Sequence, residues 1–179
     1  DETAIPNPLN YYGKSKLSAE EIVRSYKSGW SILRTVLVYG VVMDMSRSNI
    51  VLWVKKSLEA GKSIQVVDDQ WRTPTLAEDL AMGCWLAAEN KVNGIFHISG
   101  DEMMTPYVIA IRTARFFGLD ESLIIKTDSN KFQQPARRPL RTGFVIEKAR
   151  NELGYSPHTF EEGLALVKDQ LAQFSLAQQ

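Results

Sequence analysis

Tyr12 and Lys16 stand four residues apart in NYYGKSKLSAEE, a spacing that puts both side chains on one face of a helix. A phenol titrates at about 10 in water, too high for a good base at neutral pH. An ammonium about 4 Å away in a partly buried site, at an effective dielectric of about 20, favours the phenolate by about 4 kcal/mol, roughly three pKa units. Such a pair can give a proton to a carbonyl oxygen as hydride reaches its carbon, or take it back in the reverse direction. The competing reading is a surface pair that only supports a helix, because six tyrosines among 179 residues let chance supply the spacing. Placement favours chemistry: the pair precedes a β-branched run by one helix length, where an active-site helix beside a cofactor sheet belongs.

The other reactive side chains form no constellation. His97, mid-strand in GIFHISG, reads as a satisfied core histidine, and His158 as loop. Two distant histidines and one cysteine give no metal site. Cys84, in LAMGCWLAAE, is expected to pack rather than react, and it leaves no internal disulfide, which fits a reducing compartment. Trp53, Trp71 and Trp85 read as packing residues, with Trp71 also able to border a base or sugar.

The elements that must position the pair alternate. Residues 10–26 place Leu17, Ile22, Val23 and Tyr26 roughly on one face and read as a helix. WSILRTVLVYG, residues 30–40, is too short and too apolar for a surface helix and reads as one strand buried on both faces. A helix over 49–60 ended by Gly61, a strand over 63–67, an extended DDQWRTPT segment and a helix over 76–89 follow. Residues 94–99 read as a buried strand, Thr105-Pro106 opens a helix that Gly118 closes, and 123–127 is a further strand. A helix over 146–153 stops at Gly154, and Thr159 with Glu162 forms a capping box for the last helix. This alternation is the mark of an α/β fold with a parallel sheet. No G-x-G-x-x-G or G-x-x-x-x-G-K-[ST] turn occurs, so the phosphate cradle that begins a nucleotide-binding fold is missing.

Composition narrows the function classes. Acidic and basic residues balance at 21 each, so no global field draws the chain to nucleic acid or an anionic membrane. No apolar run approaches the roughly 20 residues of a membrane span, and no signal-like segment opens the chain, which reads as cytoplasmic. Asp1 in place of an initiator methionine, followed by loop-like DETAIPNPLN, reads as chain arriving from preceding structure.

PLNYYGKSKLSAEE resembles the P-x-N-x-Y-G-K-[ST]-K-x-x-[GA]-E stretch of extended short-chain dehydrogenases/reductases, and most closely that of the dTDP-4-dehydrorhamnose reductases. Four further blocks are similar in the same order: SILRTVLVYG, SNIVLWVKKSLEAGKSIQVVDDQ, RTPTLAEDLA and ARRPLRTGFVIEKARNELGYSPHTFEEGL. The resemblance implies the C-terminal part of a Rossmann-like parallel sheet plus a small α/β sugar-nucleotide-binding lobe, with the N-terminal glycine-rich half absent. In this single fragment, about 1–48 would carry the active-site helix and strand, and about 49–179 mainly the substrate lobe with interleaved Rossmann elements.

What the resemblance implies for chemistry is NAD(P)H-dependent reduction of a 4-keto sugar nucleotide. Tyr12 would be the general acid, and Lys16 would assist it while bonding the nicotinamide ribose. Asn49 matches a residue that opens the substrate-binding helix, with a simple helix cap as its other reading. Arg72 stands where related epimerases place an arginine on the diphosphate, and Arg138 matches an arginine before proline with a similar task; guanidinium forks suit phosphate oxygens. Arg137 and Arg141 lie close enough to substitute for Arg138. The reductases usually carry glycine at the position of Arg72 and a tryptophan near Leu37, and this chain has neither. An NAD-dependent epimerase or dehydratase is therefore an alternative, as is a non-catalytic sugar-nucleotide-binding fragment. The cofactor is NADP or NAD, most of its site belonging to an N-terminal half that the fold needs for completion, and relatives suggest a homodimer.

Overall fold

The computed structural model describes residues 1–42, 48–131 and 138–177. Helix α1 spans Tyr11–Arg24 and is opened by Asn10, whose Oδ1 accepts from the Gly13 amide at 2.9 Å. Strands β1 (Ser31–Arg34) and β2 (Val38–Tyr39) precede α2 (Ile50–Glu59). Next come β3 (Ile64–Val67), β4 (Trp71–Arg72), β5 (Thr75–Leu76), α3 (Ala77–Glu89) and β6 (Gly94–His97). Helix α4 (Pro106–Phe117), strands β7 (Ile124–Thr127) and β8 (Arg141–Thr142), and helices α5 (Glu147–Leu153) and α6 (Phe160–Ala177) complete the order.

Among the described residues the four strand ladders are each a parallel pair, β1 with β6, β2 with β5, β3 with β7 and β4 with β8, and an isolated antiparallel bridge joins Arg72 to Met104. Parallel neighbours need crossovers, which the intervening helices provide. The chain is thus α/β, as its alternation implies.

The run 30–40 is not one strand. Leu37 adopts a left-handed conformation, φ 48°, and its carbonyl accepts from the Thr75 amide at 3.2 Å. That turn takes β2 off the β1–β6 ladder and onto β5. Nor is β1 buried on both faces: Ser31 is exposed and Ile32, Leu33 and Arg34 are half-buried. Burial of a strand depends on what covers it, and α1, the helix beside it, contributes no buried residue.

Packing concentrates elsewhere. Val51, Leu52, Ile109, Leu164 and Val167 join α2, α4 and α6 around Tyr39 and Leu76. A second cluster wedges Val54 and Leu58 of α2 and Ala110 and Ala114 of α4 against Ile64, Val66 and Ile124. A third sets α5 against β6 through Phe96, Ile146, Ala149 and Leu153. Among the described residues no helix is long and apolar enough to cross a membrane.

Helix caps match their sequence signals. Thr105 caps α4 from ahead of Pro106, Gly118 and Gly154 take left-handed φ values at helix ends, and Thr159 and Glu162 bond reciprocally. The packing roles expected of Cys84, Trp53, Trp71 and Trp85 do not hold. Cys84 is exposed, and the tryptophans are 39%, 42% and 57% exposed, because they fall on outward faces of their elements.

Candidate active site

Asn10 and the one-turn spacing fix the start of α1, and with it the pair. Lys16 Nζ lies 5.5 Å from the Tyr12 ring centroid, over its face, and Tyr12 is 70% exposed. The two residues do share a helix face. The ammonium meets the ring face rather than a partly buried phenol, because nothing in the described chain covers this side of α1.

Tyr12 borders two adjacent pockets. One, of about 500 Å³, lies between α1 and β1 and is lined by Lys16, Glu20, Ile32, Arg34 and Phe144 among others. The second, also about 500 Å³, is lined with Tyr12 by Asn10, Tyr11, Arg72, Arg138, Pro139 and Thr142. The phenol therefore stands at the junction of an α1–β1 cleft and a two-arginine pocket.

In the cleft, Arg34 reaches across from β1 to Glu20 as a double fork, Nε to Oε1 at 2.7 Å and Nη2 to Oε2 at 2.6 Å; Arg24 adds a bond at 3.0 Å. Hydrogen bonding from Arg34 holds the Glu20 carboxyl below its ordinary range, against the opposing pull of burial, and Glu20 in turn raises Arg34. Glu20 had no role in the sequence reading. Its signal was present: Tyr12, Lys16 and Glu20 recur every four residues along one face.

Arg72 sits deep in the other pocket, 9% exposed. Its Nη1 donates to the carbonyls of Trp71 at 2.6 Å and Leu140 at 3.4 Å, and its Nη2 to Gln70 Oε1 at 2.9 Å and the Pro139 carbonyl at 3.0 Å. Burial pushes its pKa down, and repulsion from Arg138 adds to this, with Asp69 opposing at longer range. Arg138 is exposed, and among the described residues neither arginine forms a salt bridge. Two cations converging without a paired carboxylate make a field that suits a multiply charged anion.

Tyr12 thus shares one pocket with Lys16 and the other with Arg72 and Arg138, and Asn49 lines neither. Asn49 caps α2: its Oδ1 accepts from the Val51 and Leu52 amides at 3.1 and 3.2 Å, and its Nδ2 donates to the Gly40 carbonyl at 2.7 Å. Arg141 is exposed in β8, and Arg137 lies outside the described residues. His97 is a core histidine, 3% exposed and packed on Phe144 at 4.1 Å between centroids, but among the described residues no group meets either ring nitrogen in good hydrogen-bond geometry, the Val145 backbone acting on the ring only weakly. Burial lowers its pKa beyond what Glu2 and the Val145 backbone restore. His158 is in a loop, paired through Nδ1 with Asp79 at 2.6 Å.

Comparison with known families and structures bears on the family and the fold that carry these residues. The model of the RmlD substrate binding domain matches residues 1–173. A probable low-salt glycan biosynthesis reductase, Agl14, of Haloferax volcanii is 31% identical over 176 residues, which are 98% of this chain and 59% of that protein. Methionine adenosyltransferase 2 subunit beta of Xenopus laevis is 38% identical over 126 residues, 68% of this chain and 38% of that protein. Among solved structures, dTDP-4-dehydrorhamnose reductase from Bacillus anthracis in complex with NADP superposes with a TM-score of 0.86 at 24% identity, covering 95% of this chain and 59% of that one. The chain therefore spans less than two thirds of the length of each of these relatives.

Proposed function

The chain belongs to the RmlD substrate-binding domain family, and from that premise we propose that it holds the substrate and supplies the proton in an NAD(P)H-dependent reduction of a 4-keto sugar nucleotide. The observation that carries this reading is the position of Tyr12, shared between the α1–β1 cleft and the two-arginine pocket. A diphosphate in the arginine pocket would set the attached sugar toward Tyr12. Arg138 offers the accessible fork, and Arg72 adds positive charge beneath it.

The cleft fits the nicotinamide end of NADPH or NADH, with Lys16 on its wall to bond a ribose hydroxyl. When bound, that group supplies hydride to the keto carbon. Tyr12 Oη then gives its proton to the keto oxygen, while the Lys16 ammonium stabilises the charge left on the ring. The Glu20–Arg34 fork fixes α1 to β1, so that Tyr12 and Lys16 keep their place relative to the sheet. An upstream dinucleotide-binding half would complete the cofactor site, consistent with the share of the reductase relatives that this chain covers.

The test is to incubate the chain, alone and joined to such a half, with reduced nicotinamide cofactor and a 4-keto sugar nucleotide. Net cofactor consumption that Tyr12→Phe lowers roughly a hundredfold or more is the expected result. Turnover without net consumption would move the reading to an epimerase or dehydratase, and full activity in Tyr12→Phe would remove Tyr12 from the mechanism. A second reading, a binding subunit without redox chemistry, is favoured by the likeness to a chain that is by name a subunit of another enzyme. Sugar-nucleotide binding with no turnover in the joined protein would select it.

A further inference from the structure

Arg72 is tied into the fold more fully than a phosphate-gripping arginine can be. A guanidinium carries five N–H donors. Both Nη nitrogens of Arg72 are spent on Trp71, Leu140, Gln70 and Pro139, which leaves Nε–H alone for any ligand. Two of those acceptors, the Pro139 and Leu140 carbonyls, directly follow Arg138 in the chain. The same stretch is held from the backbone, since the Trp71 amide donates to the Leu140 carbonyl at 2.6 Å and Arg72 is in register with Thr142. Arg138, by contrast, is exposed and has no bond or ion pair among the described residues, so its own fork is available.

We propose that Arg72 is a positioning residue: it staples residues 138–140 to β4 so that Arg138 presents the fork that grips the anionic end of the ligand. This deepens, and rests on, the reading of the arginine pocket as a diphosphate subsite. The physical gain is preorganisation. An arginine on a tethered turn loses less freedom on binding than one on a loose turn, and that saving appears as affinity. Lysine at position 72 would keep the charge but not the function, because one ammonium cannot span Gln70 and two carbonyls in fork geometry.

The experiment is a calorimetric titration of inorganic pyrophosphate and of UDP into this chain and into Arg72→Lys, Arg138→Gln and the double variant. Arg72→Lys is expected to weaken both probes roughly tenfold although the charge is kept, and Arg138→Gln by at least as much. In the Arg138→Gln background, Arg72→Lys is expected to cost less than about twofold more, the non-additivity of residues that act as a unit. A role of Arg72 through its charge alone predicts near-complete retention of affinity in Arg72→Lys, and a direct grip predicts losses that add to those of Arg138→Gln; either would overturn the proposal while the diphosphate reading stands. Absence of binding of either probe to the unsubstituted chain would overturn both. Should Arg72→Lys not fold, Gln70→Ala removes one anchor and leaves the guanidinium in place. Weaker binding that vanishes as an effect in Arg138→Gln supports the staple, and unchanged affinity overturns it.

Discussion

The lobe around α2, α4 and β3–β7 and helix α1, which carries the candidate pair Tyr12 and Lys16, are held by different physics. In the lobe, Val51, Val54, Ile109, Ala110 and Ala114 are fully buried. In α1 no residue is buried, Ile22 is 72% exposed and Tyr26, just past the helix, 67%, and the tie to β1 is the ionic fork of Glu20 and Arg34. The half of the site that would hold an anion is therefore anchored to a dense core, whereas the half that would deliver a proton rides on an element secured by charge. Apolar packing resists salt and acid, and ion pairs do not.

That contrast can be broken most directly at its strong end. Ile109→Ala, a deletion in the lobe core, is expected to cost about 2–5 kcal/mol in chemical denaturation; a loss below about 1 kcal/mol would show that the lobe is not the stable half. Glu20→Gln is expected to lower α1 stability by about 1–2 kcal/mol, read as faster amide exchange in α1 with α4 unchanged. Acid should do the same. The Glu20 carboxyl is depressed below its ordinary value of 4.5 in the folded chain, chiefly by Arg34, so its contribution is complete above that value and is lost as pH falls through the lower folded-state one. Exchange in α1 should rise there before the lobe opens. The smallest effect is assigned to Ile22→Ser, within about 0.5 kcal/mol by thermal melting, and a loss matching Ile109→Ala would mean that α1 is packed after all.

How much of this was legible in the sequence follows from the range of the interactions. Caps were readable because Asn49, Thr105, Gly118, Gly154 and the Thr159–Glu162 box act within four residues of themselves. Tyr12 and Lys16 were readable as a spacing set in a family-like block. The break at Leu37 was not, since it serves a bond to Thr75, and strand β8 was not, since its pairing with β4 spans about seventy residues. The exposure of Cys84 and Trp85 was missed because an apolar composition cannot say which face of a helix meets a neighbour. For the same reason the burial of Arg72 and its bonds to the Pro139 and Leu140 carbonyls, far along the chain, could not be read beside its expected task at the diphosphate.

If Tyr12 carries the proposed reaction, the bare flank of α1 would also set its rate. A reaction carried by Tyr12 proceeds only during the fraction of time that its helix is seated on β1, and apparent affinity and turnover scale with that fraction. Whatever settles against Ile22 and Tyr26 would lengthen the seated time and so quicken catalysis from a distance, touching neither cofactor nor substrate.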